Sequence, residues 1–170
     1  MKKLLIIAAI IIIVVLNNKV ENIIIPESAI RFRVIANSNT LEDQLIKNNI
    51  SKELSYYLND LVKDAKSKEE ANTIINSNYH NIKDFVDNYI NMNKINTNYD
   101  LSIGRNYFEE KKYKGVKYNS GYYDSIVLSL GNKLGVNWWC IMYPPLCLID
   151  ESKDLEYTSL VKDMLNKYKV

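Results

Sequence analysis

The hydrophobic positions of this chain change period twice, and each change marks a new kind of element. Residues 29–37 alternate, with Ile30, Phe32, Val34 and Ala36 on one side and Arg31, Arg33, Ile35 and Asn37 on the other, which predicts a strand. The polar turn Asn37-Ser38-Asn39-Thr40 then supplies helix caps, either Asn39 with Glu42 or Thr40 with Asp43. From there apolar residues recur at steps of three and four. Leu41, Leu45, Ile46, Ile50, Leu54, Tyr57, Leu58, Leu61 and Val62 form one stripe of a helix running to about Lys63, with Glu42, Asp43, Gln44, Lys47 and Lys52 turned to water or a partner. Ser67 and Glu70 make a second capping box, opening a helix to about Asn93 whose stripe includes Ala71, Ile75, Ile82, Val86 and Ile90.

After Asn96 the period returns to two. Tyr99, Leu101 and Ile103 alternate with Asp100 and Ser102; residues 113–118 form a short strand; and Asn119-Ser120-Gly121 turns the chain into a strand over 122–130. Residues 138–143 predict a further strand, joined to the previous one by a hairpin connection bracketed by Gly131 and Gly135 and ended by Pro144, which cannot donate to a ladder. Tyr157, Val161, Met164 and Tyr168 suggest a last amphipathic helix. One strand, two long amphipathic helices, an antiparallel β-meander and a possible C-terminal helix make an α+β fold, with helices over one sheet face. The expected organisation is an N-terminal segment 1–20, a linker 21–28 containing Pro26, a single domain 29–150 and a tail 151–170.

The N-terminal segment changes the picture of where the chain works. Lys2 and Lys3 precede an apolar run over 4–16 that ends at Asn17-Asn18-Lys19, the pattern of an export signal and shorter than the ~20 residues of a full membrane span. No clear small-x-small site precedes the polar residues, so cleavage and retention as a short membrane anchor both stay open. Charge adds an exclusion: 22 basic against 20 acidic residues leave +2, which vanishes without Lys2 and Lys3, so there is no basic field for nucleic acid.

Residue types with special geometry gather in 131–147, which holds both tryptophans, both cysteines and two of the three prolines. Neighbouring strand side chains point oppositely, so one of Trp138 and Trp139 belongs to the core and the other covers the opposite face or serves as a binding anchor. For an exported chain, Cys140 and Cys147 are expected to form a disulfide; the alternative is two buried thiols beside Trp139. A bridge demands that the chain reverse between Tyr143 and Leu146, which Pro144 and Pro145 can enforce through a cis Tyr143–Pro144 bond. Arg31 and Arg33, on one strand face, read either as a solvated or edge face or as a patch that grips a carboxylate-bearing partner.

Catalytic chemistry is hard to assemble. His80 is the single histidine and sits in polar company off its helix stripe, and with two cysteines it is too little for a typical structural zinc site. The two cysteines have six residues between them where redox pairs have two, and the glycines lack the Lys-Ser/Thr ending of a phosphate loop. No catalytic residue, metal or cofactor is expected.

The strand and turn Ile30-Arg31-Phe32-Arg33-Val34-Ile35-Ala36-Asn37-Ser38, the Asp43-Gln44 pair, and Asn137-Trp138-Trp139-Cys140-Ile141-Met142-Tyr143-Pro144-Pro145-Leu146-Cys147 together resemble the stage II sporulation protein R family of endospore-forming bacteria. Tyr143 stands where a Phe is common, and Ser125-Ile126 where an Ala-Leu pair is common. The resemblance implies a signalling protein made in the forespore and exported into the intermembrane space of the septum. There it would trigger a membrane-bound aspartic protease of the mother cell, which then processes a sigma-factor precursor. On this view Arg31, Arg33, Asn37, Asp43, Gln44, Asn137, Trp138, Trp139, Pro144 and Pro145 are the candidate partner-binding residues. An exported cell-wall enzyme and a membrane-tethered scaffold are the alternatives.

Overall fold

The computed structural model describes residues 23–147 and 154–168; the expected export segment 1–20 lies outside them. In chain order the elements are β1 (Ile23–Ile25), β2 (Ile30–Ile35), α1 (Leu41–Val62), α2 (Lys68–Ser77), α3 (Tyr79–Met92), β3 (Tyr99–Phe108), β4 (Lys111–Tyr113), β5 (Val116–Tyr118), β6 (Gly121–Leu130), β7 (Asn137–Tyr143) and α4 (Asp154–Tyr168). The α+β class is as expected. Thr40 caps α1 by accepting from Asp43 N at 3.3 Å, and Ser67 caps α2 by accepting from Glu70 N at 3.1 Å. The helix expected to run unbroken to Asn93 is interrupted at Asn78, where an asparagine side chain bonds the Ile74 carbonyl at 2.8 Å in competition with the helix ladder.

The strands do not form a meander. The main sheet has the order β3-β6-β2-β7, with β2 parallel to β6 and antiparallel to β7. The expected hairpin between β6 and β7 is therefore a crossover, because β2 lies between them. β4 and β5 leave this sheet for a second one of order β1-β5-β4, in which β1 runs parallel to β5.

On one face of the main sheet, Ile30, Phe32, Val34, Ile126, Leu128 and Met142 pack against Ile50, Leu54, Leu58, Ile82 and Val86 of the helices. Each such side chain contributes roughly 1.5–3 kcal/mol of hydrophobic stabilisation. The α1 stripe is shifted from its expected position. Leu41 and Leu45 overshoot the sheet and are 78% and 50% exposed, whereas Lys47, expected at the surface, is 5% exposed. Between the second sheet and α4 lies a smaller core of Ile25, Ala29, Val116, Tyr118, Ile141, Leu146, Tyr157 and Val161. The expected linker 21–28 thus carries a strand with a buried Ile25, and the expected tail 151–170 carries a helix that closes this core; both belong to the folded body.

Candidate functional site

Two of the sequence segments singled out above meet at the end of the sheet where β2 turns into α1. The crossover from β6 to β7 wraps around this turn: Leu134 N donates to Asn37 O at 3.1 Å, Gly135 N to Ala36 O at 3.0 Å, and Val136 N to Asn39 Oδ1 at 2.8 Å. Asn37 bridges both sides, accepting from Asn132 N through Oδ1 at 2.9 Å and donating through Nδ2 to Asp43 Oδ2 at 2.9 Å. Ser38 Oγ donates to the same carboxylate oxygen, and these two hydrogen bonds hold the Asp43 carboxyl below the usual aspartate range.

Gln44 completes the clamp. Its Nε2 donates to Ser38 O at 2.8 Å, while its Oε1 accepts from Lys47 Nζ at 2.6 Å, and Lys47 Nζ also reaches Val136 O at 3.2 Å. Burial lowers the Lys47 pKa, and the like charge of Lys111 lowers it further. Asn37, Asp43 and Gln44 thus make these hydrogen bonds within the chain, at partly exposed positions, and fix the start of α1 to the β6–β7 crossover.

The arginine face of β2 is neither solvated nor at an edge. Arg31 is 1% exposed and lies under rings contributed by later strands: its guanidinium carbon is 3.4 Å from the Tyr123 centroid, 5.3 Å from Phe108 and 6.0 Å from Tyr118. Its Nη2 donates to Asn119 O at 3.1 Å, and burial lowers its pKa. Half-buried Arg33 stacks on Phe108 at 4.6 Å, and burial lowers its pKa against the opposing field of Glu109. The expectation that Arg31 grips a partner's carboxylate at the surface is corrected, because β2 is an inner strand and aromatic faces take up the charge.

The tryptophans divide as strand alternation requires. Trp138 meets Phe32 edge-on at 5.4 Å on the helix side, and Trp139 meets Phe108 edge-on at 5.4 Å on the arginine side. Cys140 and Cys147 are bonded, with Cα atoms 5.3 Å apart, and the Tyr143–Pro144 peptide is cis. Pro144 is buried and Pro145 half-buried in the reversal that the bridge spans. Asn137, Trp138, Trp139, Cys140 and Ile141 line a cleft of about 150 Å³ against Lys111, Tyr113, Tyr118, Leu146 and Tyr157. That is below the roughly 300–1,000 Å³ of small-molecule sites, so it suits a side chain or two of a larger partner. Among the described residues no three His, Cys, Asp or Glu side chains are grouped to hold a metal, and no helix is long and apolar enough to cross a membrane.

Sequence reasoning places Lys47 on the water or partner face of α1 and misses its buried role in the clamp, and it does not single out Lys111 at all. Lys47 has a detectable signature, since it stands three residues before Ile50 and seven before Leu54, within the buried stripe. Lys111 has none, because only the folding of β4 onto a separate sheet brings it to 5.2 Å from the Trp139 ring.

A family model described as Stage II sporulation protein R (spore_II_R) matches residues 26–153, a range that contains every site residue named above except Tyr157. The chain is also similar to Stage II sporulation protein R of Bacillus subtilis (strain 168), with 36% identity over 136 residues, 79% of this chain and 61% of that protein. The chain thus spans less than two thirds of this relative's length. No solved structure gives a significant match.

Proposed function

Because the chain belongs to the stage II sporulation protein R family, we propose that it is an exported sporulation signal that acts by contact and has no active site of its own. It leaves the forespore for the intermembrane space of the septum and activates a membrane-bound aspartic protease of the mother cell. The protease then processes a sigma-factor precursor. The observation that carries this reading is the family match over residues 26–153. Within that range, the strand-and-turn segment and the crossover into the tryptophan segment are hydrogen-bonded into one unit.

The test is reconstitution in a non-sporulating host. The protease and its pro-protein substrate are expressed with and without this chain, and the substrate is followed by immunoblot. Processing that requires this chain is the expected result. Processing that is absent with it, or equal without it, overturns the proposal.

A further inference from the structure

Resting on that reading, we infer that the open edge of β7 and the cleft beside it receive an extended, carboxylate-bearing segment of the activated protease, which joins the main sheet as a fifth strand. β7 is the outermost strand of the order β3-β6-β2-β7, so one of its sides has no partner in the sheet. The cleft runs along that side: its lining includes five consecutive residues, 137–141, which a groove on either face of an alternating strand would not touch in succession. The Ile141 carbonyl points outward, where it accepts from Leu146 N at 3.1 Å. Because N–H and C=O groups alternate sides along a strand, Trp139 and Asn137 present their backbone groups on the same open edge. A partner strand can pair there from Trp139 toward the N-terminal end of β7, while the disulfide-closed reversal blocks its extension past Ile141.

Charge selects the segment. None of the ten residues lining the cleft is acidic. Lys111 is exposed, has no carboxylate partner among the described residues, and holds its ammonium over Trp139 at 5.2 Å and Tyr113 at 6.0 Å. A glutamate or aspartate on the incoming strand would find a cation at the mouth and aromatic walls behind it. Backbone pairing would supply affinity and the one anchored side chain specificity, as in strand addition generally. Edge strands of this kind are normally blunted against unwanted pairing, and Lys111 does so selectively by favouring acidic strands over basic ones.

The experiment combines activation with amide exchange, using the exported, disulfide-bonded protein and membranes of a non-sporulating host that carry the protease. Lys111→Glu and Asn137→Pro, which reverses the cleft's charge or removes an outward N–H, are each expected to lower substrate processing about tenfold or more. The charge-matched control Lys52→Glu, on the exposed face of α1, leaves processing unchanged. On binding, the amides of Asn137 and Trp139 should slow in exchange, while Trp138 and Cys140, which face β2, should not change. If the unaltered chain drives processing but both edge variants do so equally well, or if those two amides gain no protection, the strand-addition inference is overturned and the signalling role stands. If the unaltered chain drives no processing, the signalling reading itself fails.

Discussion

Asn37 donates to the carboxylate of Asp43 at 2.9 Å across the turn between β2 and α1, and Ser38 donates to the same oxygen. These bonds favour the charged form, so the folded pKa of Asp43 lies below that of an unfolded aspartate, near 3.9. A carboxyl depressed in this way stabilises the fold fully above its unfolded pKa, and the contribution is lost as pH falls through the folded value. Stability of the unaltered protein should therefore drop as the pH is taken below about 4, and Asp43→Asn should be less stable at neutral pH but show a shallower acid decline. Urea midpoints between neutral and strongly acidic pH measure both; parallel curves for the two proteins would remove Asp43 from the clamp.

Gly135 is placed where no other residue fits. A Cβ there would lie 2.7 Å from the Ala36 Cβ and would collide with the Ser38 carbonyl, both on the β2–α1 turn. Gly135→Ala should cost about 1–3 kcal/mol as the crossover is pushed off the turn. Exchange of the Leu134 and Val136 amides should rise with it, and wild-type protection of those amides in the variant would contradict the clamp.

Local pattern made some of this legible and left the rest hidden. The alternation of Ile30, Phe32 and Val34, the caps at Thr40 and Ser67, and the Cys140–Cys147 reversal through a cis proline all depend on residues close in sequence, and all stand in the structure. The readings that failed depend on distant partners. Arg31 reads as a surface donor from its own strand because Phe108, Tyr118 and Tyr123, which enclose it, lie 77 to 92 positions further on. Gly131 and Gly135 looked like a hairpin because nothing near them announces that β2 enters between β6 and β7. The polar character of Lys47 concealed a buried position whose charge is met by Gln44 Oε1 and the Val136 carbonyl.

The bridge between Cys140 and Cys147 closes a loop with a sequence separation of 7. On the chain-entropy model such a loop stabilises by about 2.5 kcal/mol. Cys140→Ser with Cys147→Ser should lower the urea-extrapolated stability by about that amount, and the exported, unreduced protein should yield no titratable thiol after denaturation. Two thiols would show that the bridge does not form.

The N-terminal boundary of the folded body lies earlier than Pro26. Ile25 is 1% exposed in the second core, and β1 pairs with β5 through Ile23, Ile24 and Ile25. A protein beginning at Glu27 should lose about 2–5 kcal/mol relative to one beginning at Glu21, with exchange accelerated first in Val116 and Tyr118. Equal melting of the two would return residues 21–28 to the role of a linker.

Charge reversal at Arg33 separates a packing role from a docking role. A docking arginine on a solvated face would tolerate reversal without loss of stability, and activation alone would fall. Arg33 instead lays its guanidinium on the Phe108 ring at 4.6 Å and sits in the field of Glu109, on an inner strand. A glutamate there would turn a carboxylate toward the electron-rich ring face and repel Glu109, in a half-buried position that water screens poorly. Arg33→Glu should therefore cost about 2 kcal/mol or more of stability, and activation should fall only as far as the folded fraction does. Exposed Lys111→Glu should behave oppositely, with melting kept and activation lost. Measuring melting temperature and processing on both variants distinguishes the roles: an Arg33→Glu protein that melts like the wild type yet fails to activate would move the docking surface onto the arginine face of β2.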